Sequence, residues 1–236
     1  MGYEPMNESW QMAGERHETL GQYVAKTYLW MFAGLLVTFG IALAGYVTGA
    51  ILYVFQVPYA TLALTGLELL TVIWLSARIH KLSVGAARGL FLFYAALNGV
   101  VFSMYFLIFG VVEMVFVFAA TALFFGMMAG VSLIFKLDLS GIRPLLVGGL
   151  LFLILFGLLS MFLNLGSFET VLCYAGIVVF LGFTAYDTTK IRDNYQIFSA
   201  DPELLQKASV FSALQLYLDF INLFLDIIRL MNRNRK

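Results

Sequence analysis

Residues 213–229 form a strongly apolar segment that nevertheless contains three charged side chains. Asp219, Asn222, Asp226 and Arg229 stand at i, i+3, i+7 and i+10, so a helix carries them on one narrow face. An ionisable side chain at membrane depth costs several kcal/mol unless it faces a protein interior or a water-filled cavity. We therefore predict that this helix lies at the centre of the molecule and that the remaining chain surrounds it.

The composition places the chain in the membrane. Of the 236 residues, 61% are hydrophobic and 12% are charged, whereas soluble domains average about 45–50% and about 25%. At roughly 20 residues per transmembrane helix, this length accommodates about six or seven helices and no separate soluble domain. The formal net charge is +0, which gives no indication of nucleic-acid binding. The expected partner is the lipid bilayer.

The predicted fold is an all-α polytopic membrane protein with seven helices. Residues 1–25 form a polar N-terminal tail, and residues 26–236 form a single transmembrane domain. Very short links alternate with longer links between the first six spans, which pairs those spans into three hairpins around the C-terminal helix. The predicted spans cover approximately residues 28–49, 58–77, 89–109, 112–135, 144–163, 171–187 and 208–230.

The charges of the links predict the topology. The links after spans one, three and five contain no lysine or arginine, so the positive-inside rule places the other links and the N-terminus in the cytoplasm. If the last helix crosses fully, the basic C-terminus lies outside, against the rule. If that helix is re-entrant, the C-terminus stays inside, and both arrangements remain open. The basic residues of the cytoplasmic links are Arg78, Lys81, Arg88, Lys136, Arg143, Lys190 and Arg192.

Asp187 lies at the inner end of span six, on the side where the last helix begins, so Asp187 and Asp219 can meet. Two carboxylates in contact cannot both be ionised cheaply in a low-dielectric site, so they share one proton. The protonated pair joins two helices by a hydrogen bond. The ionised pair repels and offers oxygen ligands of the kind that calcium prefers. We therefore predict a pH-sensing dyad that holds calcium weakly and transiently.

Other polar residues have more than one interpretation. Glu68 in span two and Arg229 form a second predicted clasp between helices, and Asn222 and Asp226 are candidates for polar positions along an ion path. Alternatively, Asp187 is an ordinary helix-end residue in the headgroup zone, and Asp226 only neutralises Arg229, one turn away.

Two segments carry a specific resemblance. The string FTAYDTTK at residues 183–190 and the string LYLDFINLF at residues 216–224 resemble the signature of the Bax inhibitor-1 family, also called the transmembrane Bax inhibitor motif family. The strings YAALNG at residues 94–99, LSA at residues 75–77 and KLS at residues 81–83 are supporting matches. The short tail and compact loops are most similar to the bacterial inner-membrane branch.

The resemblance implies a seven-helix fold with the last helix wrapped by the other six. It also implies a pH-sensitive calcium leak governed by an aspartate pair, which corresponds to Asp187 and Asp219. Glu68 and Arg229 correspond to a glutamate–arginine clasp, Glu68 by its helix position and not by a motif. Asp226 departs from the apolar residue expected at its position.

Three functions compete. The leading hypothesis is a calcium leak channel gated by the aspartate pair. The second is a non-conducting membrane regulator that binds membrane proteases or death-pathway proteins. An intramembrane aspartyl protease is remote, because Asp219 follows Leu216, Tyr217 and Leu218 and not the Gly-x-Gly of those enzymes. No histidine pair, phosphate loop or redox motif is apparent, so we expect no enzyme and no cofactor, with calcium as a permeating ion.

Overall fold

A computed structural model describes residues 18–78, 81–135, 138–163 and 166–233. These residues form helices and no strands, as the predicted all-α membrane class requires, and that prediction is confirmed. A short 3-10 helix, Ser140–Ile142, precedes the fifth α-helix. Most of the predicted N-terminal tail lies outside the described residues. The helices are α1 Leu20–Val47, α2 Ala50–Gln56, α3 Ala60–Arg78, α4 Val84–Phe135, α5 Arg143–Leu163, α6 Gly166–Phe198 and α7 Pro202–Arg233.

Helix α1 begins before the predicted start of the transmembrane domain. The Thr19 hydroxyl accepts a hydrogen bond from the Gln22 amide at 3.3 Å, and the Gln22 side chain accepts one from the Thr19 amide at 2.9 Å. This reciprocal capping satisfies two amide groups that the first turn of a helix leaves without partners. The last residues assigned to the tail are therefore the first turn and a half of the membrane helix.

Five of the described helices are long and apolar enough to cross a membrane: α1, α4, α5, α6 and α7. Helix α4 has 52 residues, or about 78 Å at ~1.5 Å per residue, which is more than twice the ~30 Å thickness of the hydrocarbon core. It is broken at Gly110, whose φ of 78° and ψ of 168° are accessible to glycine and not to other residues. The arms at residues 84–109 and 111–135 correspond to the third and fourth predicted spans.

Helix α7 is the central helix. In its most apolar stretch 67% of the residues are buried, against at most 28% in the other candidate spans. It packs directly against α1, α4 and α6, whereas α3 packs chiefly on α4 and α5 chiefly on α6. The first two predicted spans therefore do not pack against each other as a hairpin. Helix α3 is linked to α1 through α2 but lies mainly against α4.

Aromatic rings join α7 to its neighbours. The ring of Phe224 lies 5.4 Å from that of Phe39 in α1 and 5.5 Å from that of Phe102 in α4. The ring of Phe220 lies 5.4 Å from that of Phe118 in the second arm of α4. Lipid tails are as apolar as these rings, so close packing and not expulsion from water holds the helices together.

Helix α7 runs antiparallel to α6 over the whole length of the bundle. At one end Asn194 donates a hydrogen bond to Ser212 at 3.1 Å, and at the other end Arg233 forms an ion pair with Glu169 at 3.3 Å. The whole of α7 is uninterrupted for 32 residues, about 48 Å. The structure thus favours the fully crossing arrangement of the last helix over the re-entrant one.

Candidate functional site

The antiparallel packing of α6 and α7 brings Asp187 and Asp219 together. Each residue is 5% exposed, and their carboxyl groups lie within hydrogen-bonding range of each other. Within the described ranges, the Oδ2 atom of Asp219 has no hydrogen-bond donor. Two carboxyl groups at this distance attract each other only if one of them is protonated and donates a hydrogen bond to the other. Burial against α7 argues against the interpretation of Asp187 as a solvated helix-end residue.

A phenol and two cations lie within electrostatic range of the pair. The phenol of Tyr28 shares a hydrogen bond with the hydroxyl of Thr188 at 2.9 Å and lies within electrostatic range of Asp219. The cations within electrostatic range of Asp187 are Arg143 and Lys190. Lys190 is itself paired with Asp193 at 2.8 Å, so it contributes only part of its charge to Asp187.

Sequence analysis missed a buried hydroxyl centre close to the pair. The hydroxyl of Thr38 in α1 lies 2.7 Å from that of Tyr217 in α7 and donates to the Ala95 carbonyl of α4 at 2.8 Å. Both side chains are fully buried, and Phe91 and Tyr94 flank the Tyr217 ring. This contact joins three helices and fixes the rotation of α7 two residues before Asp219. A lone threonine in an apolar helix gives little signal of such a role.

The predicted clasp between Glu68 and Arg229 is not formed. The Arg229 side chain is 59% exposed and pairs with Asp226 at 3.7 Å. The Oε1 atom of Glu68 is buried and has no hydrogen-bond partner in the described part of the chain. The prediction is corrected for a physical reason: α3 lies against α4, and Asp226 offers Arg229 an acid one turn away on its own helix.

The position of Asp226 requires a glycine on the opposing helix. The sequence analysis did not predict this pairing. A Cβ atom built on Gly176 of α6 would collide with the Oδ2 atom of Asp226 and lie 2.8 Å from its Cγ atom. Only glycine therefore leaves room for this carboxyl group, which is 8% exposed between the helices. The available signal was the general tendency of small residues to mark close approach of membrane helices.

A cavity of about 570 Å³ lies between α5, α6 and α7. Asn222 and Asp226 both line it, and seven residues of helix separate Asp226 from Asp219, a rise of about 10 Å. The predicted polar face of α7 thus leads from the aspartate pair into this cavity. The cavity's polar or ionisable lining residues are Ser160, Glu169, Cys173, Asn222, Asp226, Arg229, Asn232 and Arg233.

The acids of the site are spread along α6 and α7 and do not converge on one point. In the ranges that the structure describes, no three histidine, cysteine, aspartate or glutamate side chains are grouped closely enough to hold a metal ion. Asp187 and Asp219 supply carboxyl oxygens at one level and Asp226 at another. The arrangement is a line of polar positions, and not a closed coordination cage of the type that binds calcium tightly.

Together, the fold and the site define a class: a polytopic α-helical membrane protein whose central helix carries buried acids. Comparison with known proteins gives the particular family. The family model described as "Inhibitor of apoptosis-promoting Bax1" matches residues 20–236. The chain therefore belongs to the Bax inhibitor-1 family.

Bacterial relatives align over nearly their whole length. The chain is 37% identical to "Inner membrane protein YbhL" of Escherichia coli (strain K12), over 92% of this chain and 93% of the relative. It is 34% identical to an uncharacterized protein of Deinococcus radiodurans, over 94% and 96%. It is also 32% identical to one of Borreliella burgdorferi, over 94% and 97%. These similarities indicate an integral membrane protein and agree with the resemblance drawn from the aspartate motifs.

Proposed function

We propose that the protein is a pH-sensitive calcium leak in which the Asp187–Asp219 pair is the gate. One observation carries the proposal: two buried carboxyl groups lie within hydrogen-bonding range across neighbouring helices, with an acceptor oxygen of Asp219 left without a donor. The E. coli relative is named an inner membrane protein, and we propose the same location for this chain, with its N-terminus in the cytoplasm.

The gate works through the shared proton. With one proton between them, the two carboxyl groups hold α6 against α7. Loss of that proton leaves two negative charges in contact, and their repulsion in a low-dielectric site separates the helices. Arg143 and Lys190 lie within electrostatic range of Asp187, but neither forms an ion pair with it, so they moderate this repulsion without removing it.

The oxygen ligands on α7 are better suited to transient passage of calcium than to tight calcium binding. Calcium takes about six to eight oxygen ligands, whereas the pair, Asn222 and Asp226 supply only a few at any one level. Water completes the shell, so each site holds the ion briefly. The cavity between α5, α6 and α7 gives the ion an approach from the end of the bundle where α7 ends.

The test is calcium flux into liposomes that contain the purified protein and an enclosed calcium indicator, over a series of pH values. We expect flux in the native chain to rise as the pair loses its proton. Asp187→Asn and Asp219→Asn should each make the flux independent of pH, because an amide holds the contact without titrating. Glu203→Gln is the matched control, since it makes the same acid-to-amide change at an exposed residue of α7 that pairs with Lys207.

Two results would count against the proposal. If neither variant changes the flux or its pH response, the pair is not the gate. If the native protein conducts no more calcium than empty liposomes at any pH, the chain is not a leak, and a non-conducting regulator becomes the better hypothesis. The E. coli relative is named an inner membrane protein, and catalysis is not proposed.

A further inference from the structure

A second cavity opens sideways on the surface that faces the membrane. It is a groove of about 490 Å³ between α1 and the second arm of α4, with Phe220 of α7 among its lining residues. The groove is lined by Tyr28, Met31, Phe32, Leu35, Phe118, Ala122, Phe125, Gly126, Ala129, Gly130, Leu133 and Phe220. The phenol of Tyr28 is the only polar side-chain group among them, so the groove favours an apolar occupant.

Small residues create the groove. Ala122, Gly126, Ala129 and Gly130 place little side-chain volume on this part of α4, and a Cβ atom built on either glycine would meet nothing within 4 Å. Helix α1 therefore does not close against α4 here, and the opening reaches the central helix. Phe220, the neighbour of Asp219, is only 2% exposed, yet it lines the groove.

The dimensions distinguish between possible occupants. Residues 118–133 of α4 rise about 22 Å, at ~1.5 Å per residue, which gives the groove of about 490 Å³ a mean cross-section of about 22 Å². A helix about 10–12 Å across has a cross-section of about 80–110 Å² and cannot enter it. Water is also disfavoured, because a lone hydroxyl cannot supply the two to four polar partners that a buried water needs.

We propose that this groove binds one acyl chain of a membrane lipid. The chain packs along the small residues of α4 and reaches Phe220 and Tyr28. Because the Tyr28 hydroxyl is bonded to Thr188, the occupied groove completes the wall between the bilayer and the aspartate pair. This binding does not depend on calcium conduction, so it can be tested whether or not the protein is a leak.

The experiment uses the full-length protein in phosphatidylcholine vesicles with a trace of phospholipid that carries a photoreactive group at mid-chain. After irradiation, mass spectrometry locates the labelled residues. We expect label on Phe220, which ordinary surface lipid does not reach. Label along residues 118–133 should exceed that on the lipid-facing residues Leu151 and Leu155 of α5 several-fold.

Gly126→Leu fills the groove and should abolish the label on Phe220. Gly148→Leu is the matched control, because Gly148 is also a helical glycine facing open space but lies on α5, outside the groove. Ala129→Leu provides a second filled variant if Gly126→Leu fails to fold. An unlabelled Phe220 in the native protein would overturn the proposal. A disulfide that joins two copies of a Gly126→Cys, Cys173→Ser variant would overturn it in favour of a dimer interface.

Discussion

Thr38 shows how much a single residue decides in a membrane bundle. Its hydroxyl contacts the Tyr217 hydroxyl of α7 and the carbonyls of Ala95 in α4 and Gly34 in its own helix. All of these groups lie where water does not supply an alternative partner. The position of α7 against α1 and α4 therefore depends on one side chain that the sequence alone does not mark.

We expect Thr38→Val to destabilise the fold by about 1–3 kcal/mol, because it leaves the buried Tyr217 hydroxyl without its partner. The measurement is thermal unfolding of the detergent-purified protein, followed by circular dichroism. Thr121→Val is the control: this threonine is equally buried, but its hydroxyl bonds only the Val117 carbonyl of its own helix. Adding Tyr217→Phe should recover much of the loss. Equal effects of the two threonine variants would contradict the prediction.

The fit between Gly176 and Asp226 makes a second prediction at this scale. Gly176→Ala places a methyl group on the Asp226 carboxylate, so we expect it to lower stability by about 1–3 kcal/mol, the usual cost of overpacking. In an Asp226→Ala background the same change should be nearly neutral. A double-mutant cycle on unfolding midpoints measures the coupling. Additive effects of the two substitutions would show that the contact is not made.

At the scale of elements, the break in α4 turns one continuous helical sequence into two spans. The sequence located this break within a residue, because spans three and four were predicted to end at 109 and to begin at 112. The structure adds its backbone geometry, since a φ of 78° with a ψ of 168° at Gly110 is open to glycine. The reversal brings both arms of α4 against α7, where each supplies aromatic rings to the core.

We expect Gly110→Ala to destabilise the protein by about 1–3 kcal/mol, the usual cost of forcing a side chain into such a conformation. Gly148→Ala should have the opposite sign and stabilise by about 0.5–1 kcal/mol, because this glycine is helical and faces open space. Unfolding midpoints of the two variants, recorded in the same detergent, make the comparison. A stabilising effect of Gly110→Ala would show that the break is not required.

At the scale of the whole molecule, the crossing of α7 sets the positions of the chain ends. The helix begins beside the C-terminal end of α6 and ends beside Glu169 at the other end of the bundle. In the orientation that we propose, with the N-terminal end of α1 in the cytoplasm, α7 ends outside, although Arg229 and Arg233 lie in its last turns. Their ion pairs with Asp226 and Glu169 offset the charges that oppose this placement.

This topology predicts the labelling of single cysteines. In a Cys173→Ser background, Asn232→Cys should react with a membrane-impermeant maleimide added to intact cells. Gln196→Cys should react only after the membrane is opened. Both native side chains are exposed at opposite ends of the α6–α7 pair, so they serve as each other's control. The reverse pattern would place the N-terminus outside.

Apolar periodicity was sufficient to predict the all-α membrane class and the inward face of the last helix, because the cost of a charge in lipid leaves few alternatives. It also predicted that Asp187 and Asp219 approach each other, since antiparallel neighbours align residues at equal depth. Periodicity defines the faces of a helix but not its rotation or offset against a neighbour. Only the tertiary structure therefore decided that Arg229 pairs with Asp226 and not with Glu68, that Gly176 accommodates Asp226, and that a groove reaches Phe220.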